Sequence, residues 1–292
     1  MPTTEIDRSS SSIDLTRRDF VRAAVGSGFA AAVLPVTAQT IKTDSTGLTV
    51  GEVTIPVGDF KMPAYRAMPA GRTGNTLPVV LVVSEIFGVH EHIADVARRF
   101  AKLGYLAIAP ELFVRQGDAQ SYGEISKLLS EVVNKVPDAQ VMADLDACVA
   151  WAKANGGDTA KLGVTGFCWG GRITWLYTAH NPAVKAGVAW YGQVLGTPNE
   201  LKPKNPIDLV GQLKAPVLGL YGAEDQGIPV AAVDQMKAAL ATGNGAAKAS
   251  QFVVYPGAPH AFHADYRPSY RKDAADDGWK RCVAWMKTHG AA

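Results

Sequence analysis

Lys161-Leu162-Gly163-Val164-Thr165-Gly166-Phe167-Cys168-Trp169-Gly170-Gly171 is the stretch that decides the fold. Residues 161–165 read as a strand, and the apolar pattern that resumes at Trp169 predicts a helix to about residue 179. Between them lies a glycine-rich turn with Cys168 at its apex. A reactive side chain on a sharp strand-to-helix turn is a nucleophile elbow. Gly166 and Gly170 stand two residues before and two after the cysteine, where crowded backbones leave no room for a Cβ. The positive end of the helix favours negative charge at the apex. It also aims the Trp169 N–H at a developing oxyanion. Taken alone, a glycine-rich turn with an incidental cysteine would read the same way, so the surroundings must discriminate.

Outward from the turn, strand-like and helix-like segments alternate. Residues 77–84 (LPVVLVVS) form a continuous apolar, β-branched run, as expected of a strand buried on both faces. Shorter runs of the same kind occupy 105–109, 184–190, 216–221 and 250–255. Residues 51–57 and 63–69 suit an opening hairpin or edge strands. Helical spacing covers 92–103, 121–133, 139–154, 229–240 and 270–287. Residues 192–214 are irregular and proline-containing, and read as a long loop. Strands and helices alternating in this way predict an α/β fold: a mostly parallel central sheet with helices on both faces, in a single domain over residues 39–292.

A nucleophilic thiol needs a base, and the base needs a group that orients it. Asp225 follows the strand over 216–221, and His260 follows the strand over 250–255. Both therefore fall on the edge of the sheet that carries Cys168, where open α/β sheets place their sites. Glu224 is the second choice of acid and His263 the second choice of base. Glu85 closes the strand over 77–84, where a buried carboxylate must be paired. Beside a thiol it could take the proton or hold the thiol in place; its alternative role is to cap the helix that begins near His92. His90 and His92 flank Glu91, but two histidines that close in a loop are weak grounds for a metal site. No metal or other cofactor is expected.

With these residues in place the chain resembles the dienelactone hydrolase family. The resemblance rests on Ser84-Glu85-Ile86-Phe87-Gly88, Pro110-Glu111-Leu112-Phe113-Val114-Arg115, the Cys168 turn, Gly222-Ala223-Glu224-Asp225 and His260-Ala261-Phe262, in the family's order over residues 50–288. It implies an α/β-hydrolase fold and a Cys-Asp-His triad of Cys168, Asp225 and His260. It also implies an oxyanion hole from the Ile86 and Trp169 N–H groups, a glutamate at Glu85 that engages the resting thiol, and an arginine at Arg115 that holds a substrate carboxylate. The implied activity opens carboxymethylenebutenolide-like lactones. The sequence departs from the pattern at Ala264, where well-known members carry a second arginine; Arg267, three residues on, is the nearest replacement.

The N-terminal segment is set apart from this pattern. Arg17-Arg18 stands ahead of the charge-free 12-residue run over 23–34, and Val36-Thr37-Ala38 supplies small residues for cleavage. That order describes a twin-arginine signal over residues 1–38, and the run is shorter than the roughly 20 residues a membrane helix needs. Export by the twin-arginine machinery to the periplasm or beyond is therefore expected, with no stable membrane association after cleavage. The formal net charge is +2, which gives no footing for nucleic acid or an anionic membrane surface. Of three cysteines at least one is unpaired within the chain, and Cys148 and Cys282 both suit buried thiols in helices better than a bridge. The expectation is a monomeric hydrolase of small esters or lactones. A broad carboxylesterase or thioesterase on the same scaffold is the nearest alternative. A non-catalytic exported binding or thiol protein is more distant, since no C-x-x-C is present.

Overall fold

Seven apolar residues, Leu77–Val83, form the strand β3 at the centre of the sheet, and their side chains divide by parity between its two faces. Val79, Leu81 and Val83 enter one core, whereas Val80 and Val82 enter the core on the opposite side. That is the two-residue period of a strand covered on both sides. The computed structural model describes residues 40–72, 74 and 76–292. The signal expected over 1–38 lies outside the described residues.

The other strands are β1 (Leu48–Val57), β2 (Phe60–Pro69), β4 (Leu106–Pro110), β5 (Gly157–Phe167), β6 (Val184–Trp190), β7 (Val217–Gly222) and β8 (Gln251–Tyr255). Together with β3 they make one eight-stranded sheet in the order β1-β2-β4-β3-β5-β6-β7-β8. β1 pairs with β2 and β2 with β4 antiparallel; every pairing from β4 through β8 is parallel. β3 lies between β4 and β5, so the chain reverses its direction of winding there. The C-terminal ends of β3 and β5 thus border the crevice in which such sheets bind ligands.

The helices are α1 (Glu91–Lys102), α2 (Ile125–Glu131), α3 (Asp138–Ala154), α4 (Trp169–His180), α5 (Val230–Thr242), α6 (Gly245–Ala249) and α7 (Lys272–Thr288). α1 and α7 cover one face, with Ile93, Val96, Phe100, Cys282, Trp285 and Met286 in its core. α3 and α4 cover the other, through residues such as Val141, Leu145, Ile173 and Tyr177. Cys148 and Cys282 are free, and they belong to cores on opposite faces of the sheet, so no bridge joins them. No described helix is long and apolar enough to cross a membrane.

Two expectations are corrected. The helix expected over 121–133 is broken into a 3-10 turn at Ala119–Ser121, α2, and a second 3-10 turn at Val133–Lys135. The Asp118 carboxylate accepts from the Gln120 N–H and closes the first turn separately, and Gly123 then lies outside any helix. The loop over 192–214 contains the 3-10 helix Pro206–Gln212, held by a reciprocal cap between Asn205 and Asp208. The Asn/Asp version of this box is a weaker sequence signal than Ser/Thr with Glu.

Candidate active site

Cys168 occupies the apex between β5 and α4 with φ 55° and ψ −114°. A non-glycine residue pays about 1–3 kcal/mol for a conformation of this kind, so its surroundings must impose it. They do so through close packing of α4 against the sheet. A Cβ on Gly166 would lie 2.2 Å from the Gly170 carbonyl oxygen, and one on Gly170 would lie 2.3 Å from that of Val83. The Cys168 N–H donates to the Trp190 carbonyl at 3.0 Å, which ties the apex to the end of β6. Farther along α4, Arg172 donates twice to Asp138 of α3, at 2.7 and 2.8 Å, and anchors the helix laterally.

His260 and Asp225 meet in front of this turn. His260 Nδ1 lies 2.6 Å from Asp225 Oδ2. Asp225 Oδ1 accepts from the N–H groups of Gly227 and Ile228 at 2.9 and 3.0 Å, so the carboxylate is held at both oxygens. Its side chain is fully buried, whereas that of His260 is about one-third exposed. Burial by itself would lower the His260 pKa, but the Asp225 carboxylate and the neighbouring Cys168 sulfur outweigh it and push it up to about 10. Cys168, His260 and Asp225 are therefore brought together in one electrostatic unit. Glu224, by contrast, is exposed. His263 is buried with its Nδ1 3.4 Å from His92 Nε2, and burial holds it well below the ordinary histidine range. Neither second choice joins the unit.

The Ile86 and Trp169 N–H groups lie at the ends of β3 and β5, and neither has an acceptor among the described residues. Both are half-buried, as is Cys168. This leaves two backbone donors without an acceptor at the ends of adjacent strands, and an oxyanion hole needs such donors.

Glu85 is buried, and its Oε2 accepts from the Tyr266 hydroxyl at 2.7 Å and sits 3.0 Å from His90 Nε2. Burial would raise its pKa, but His90 and, more distantly, His92, together with the Tyr266 hydrogen bond, reverse this and bring it down to about 2. Oε1 has no hydrogen-bond partner among the described residues. Behind it, His92 Nδ1 contacts Asp265 at 3.0 Å, and Asp265 accepts from the Ile41 N–H at 2.8 Å. Sequence spacing missed His90, Tyr266 and Asp265 as the setting of Glu85. No short motif connects them, because Glu85 and Tyr266 stand 181 residues apart.

Arg115 and Arg267 are placed differently. Arg115 donates to both oxygens of the buried Asp144 at 2.6 and 2.7 Å and stacks on Phe60 with its guanidinium carbon 4.0 Å from the ring centroid. Its fork is thereby filled by the protein. Arg267 lies over Phe87, 5.5 Å from the ring centroid, and its guanidinium makes no hydrogen bond to the described residues. Its charge is felt by Tyr191 and Tyr266 beside the site. Ala264 is buried.

A mostly parallel sheet with helices on both faces and a strained residue at the strand-to-helix apex defines an α/β-hydrolase fold. Comparison with known proteins narrows this further. The profile of the dienelactone hydrolase family matches residues 62–290. A protein of Methylorubrum extorquens provisionally named carboxymethylenebutenolidase is 62% identical over 280 residues, covering 95% of this chain and 94% of its own. An Escherichia coli K12 protein with the same provisional name is 53% identical over 264 residues, covering 90% of this chain and 96% of its own. The crystal structure of a provisionally named dienelactone hydrolase from Klebsiella pneumoniae is 55% identical, covers 82% of this chain and 98% of its own, and superposes with a TM-score of 0.79. The chain belongs to the dienelactone hydrolase family and is a hydrolase of that type.

Proposed function

We propose that the protein opens a lactone or activated ester bond of a small molecule through a thioester on Cys168. The observation that carries this reading is His260 held between Asp225 and the Cys168 sulfur, with its pKa pushed up to about 10. An imidazole that keeps its proton at neutral pH stabilises negative charge on the sulfur beside it and is ready to serve as an acid.

The thiolate attacks the carbonyl carbon, and the oxyanion is received by the Ile86 and Trp169 N–H groups. The C–O bond to the leaving oxygen breaks, and that oxygen takes the proton from His260. In a lactone the leaving oxygen stays tethered to the acyl group. His260, now neutral, removes a proton from water, and the resulting hydroxide attacks the thioester. The C–S bond breaks, the acid is released, and the thiolate–imidazolium pair is restored. Asp225 keeps the imidazole in the tautomer and orientation that both halves need. When the sulfur carries a proton, Glu85, held at Oε2, can accept it in a hydrogen bond at Oε1, and passing that proton to a neutral His260 gives the thiolate–imidazolium pair. Arg115 serves a substrate carboxylate only by sharing or leaving Asp144.

Cys168→Ala should abolish turnover of a p-nitrophenyl ester; a variant that keeps most of its activity would remove Cys168 from the reaction. Cys168→Ser should be much weaker than wild type, because the site is arranged around a sulfur leaving group. A panel of enol-lactones, simple esters and thioesters would rank the substrate class. We place the working enzyme outside the cytoplasm on the strength of the paired arginines ahead of the apolar run, and we expect it to act as a monomer. Replacing Arg17 and Arg18 with lysine should leave the protein in the cytoplasmic fraction, and size-exclusion chromatography reads the oligomeric state.

A further inference from the structure

Tyr191 directly follows β6, on the same sheet edge as Cys168, Asp225 and His260. It is fully buried and adopts φ 37°, a region that a bulky side chain enters only under constraint. The constraints are visible on both sides. Its own N–H donates to the Leu220 carbonyl at 2.8 Å. The next residue, Gly192, is wedged against α4 so closely that a Cβ would lie 2.2 Å from the Gly171 carbonyl carbon, and its carbonyl accepts from the Tyr221 hydroxyl at 2.7 Å. The strained backbone delivers the Tyr191 ring edge-on to His260, with centroids 5.2 Å apart.

The phenolic oxygen at the end of that ring is buried and has no hydrogen-bond partner among the described residues. The His263 N–H, itself a donor, acts on the oxygen, and no acceptor among the described residues takes the hydroxyl hydrogen. Burial, then Glu85 and Cys168, hold the hydroxyl well above the ordinary tyrosine range, with Arg267 opposing, so the group is a donor and not a base. An unpaired buried hydroxyl carries a desolvation penalty, and phenylalanine would fill the same space without it. Backbone strain and an unsatisfied donor thus coincide at one residue, next to the nucleophile and its base. Such outliers in a native site call for a ligand.

We propose that the Tyr191 hydroxyl donates a hydrogen bond to an oxygen of the ester or lactone bound at Cys168, and is a substrate-contacting residue of the reaction. This rests on the thioester mechanism above. The test is Tyr191→Phe, which removes the hydroxyl and keeps the ring, assayed beside Cys168→Ala on a p-nitrophenyl ester. The expected result is a kcat/KM at least tenfold below wild type, with a melting temperature equal to or above it and iodoacetamide labelling of Cys168 at the wild-type rate. A kcat/KM within twofold of wild type would overturn the inference. So would a fall in melting temperature alongside the fall in activity, which marks a structural hydroxyl, or slower labelling of Cys168, which marks a contact to the sulfur instead of the substrate. An active Cys168→Ala variant would sink the thioester mechanism itself, whereas an inactive one beside a fully active Tyr191→Phe would sink only the role of Tyr191.

Discussion

Nδ1 of His260 lies 2.6 Å from Oδ2 of Asp225, while the other oxygen of Asp225 accepts from two successive backbone N–H groups, those of Gly227 and Ile228. The Asp225 carboxylate is rigid because the loop after β7 holds it, and the His260 ring inherits that rigidity. Asp225→Asn would preserve the loop contacts and present an amide to the imidazole, favouring the wrong tautomer. The expected loss of kcat is roughly 10³- to 10⁴-fold, read by steady-state kinetics.

The same pair predicts a pH dependence of stability. The folded His260 pKa is about 10 against an ordinary 6.5, so its stabilising contribution is fully present below 6.5 and is lost as the pH rises through about 10. Urea unfolding of wild type and Asp225→Asn across this range should show the difference between them shrinking toward high pH. A difference that stays constant from pH 6 to pH 10.5 would contradict a shared proton between these residues.

Arg115→Ala tests how that arginine spends its charge. Burial pushes the Asp144 carboxyl up even with Arg115 beside it, so removing the arginine leaves a buried carboxyl that takes up a proton. We expect a loss of about 3 kcal/mol in denaturant unfolding, the lower end for breaking a buried pair. A higher KM with unchanged stability would instead show Arg115 working on the substrate.

The three thiols should separate chemically. Burial pushes Cys148 well above the ordinary thiol range and Cys282 up to about 12, and both are fully buried in helices. Cys168 stands at a partly exposed helix start beside His260. Iodoacetamide at neutral pH should modify Cys168 in the folded protein and reach the other two only on unfolding, as peptide mass mapping would show.

Gly170→Ala should destabilise the protein by at least about 3 kcal/mol, because the new methyl meets the backbone of β3 at a place that cannot yield. Gly245→Ala is the control: nothing lies within 4 Å of its added Cβ, and α6 should be unchanged or slightly stabilised. Equal effects in chemical denaturation would refute the packing account of the turn.

Much of this protein was legible along the chain because its determinants are local. The continuous apolar run over residues 77–83 placed a strand with two covered faces, and the glycines around Cys168 marked the turn by the backbone contacts they permit. Asp225 and His260 could be found because a parallel sheet puts every strand end on one edge, so order along the chain becomes proximity in space. The break in the helix expected over 121–133 was harder to see, since one side chain, Asp118, closes a competing turn.

What tertiary structure alone decided is how each charge is spent. Arg115 reads from the sequence as a cation for a substrate, and only the fold lays it against Asp144, 29 residues away on α3. Glu85 reads as a carboxylate for the thiol, and only the fold supplies His90 and Tyr266 to hold one oxygen while leaving the other unpartnered. Tyr191 carries no sequence signal at all; its strain and its unpaired hydroxyl exist only because β6, β7 and α4 close around it. The apolar runs and the glycine turn act over a few residues, and so the sequence by itself determined the sheet and the strand-to-helix turn that carries Cys168. Hydrogen bonds and ion pairs between buried groups act over a few ångströms with no limit on separation along the chain, and so their partners are chosen only once the chain has folded.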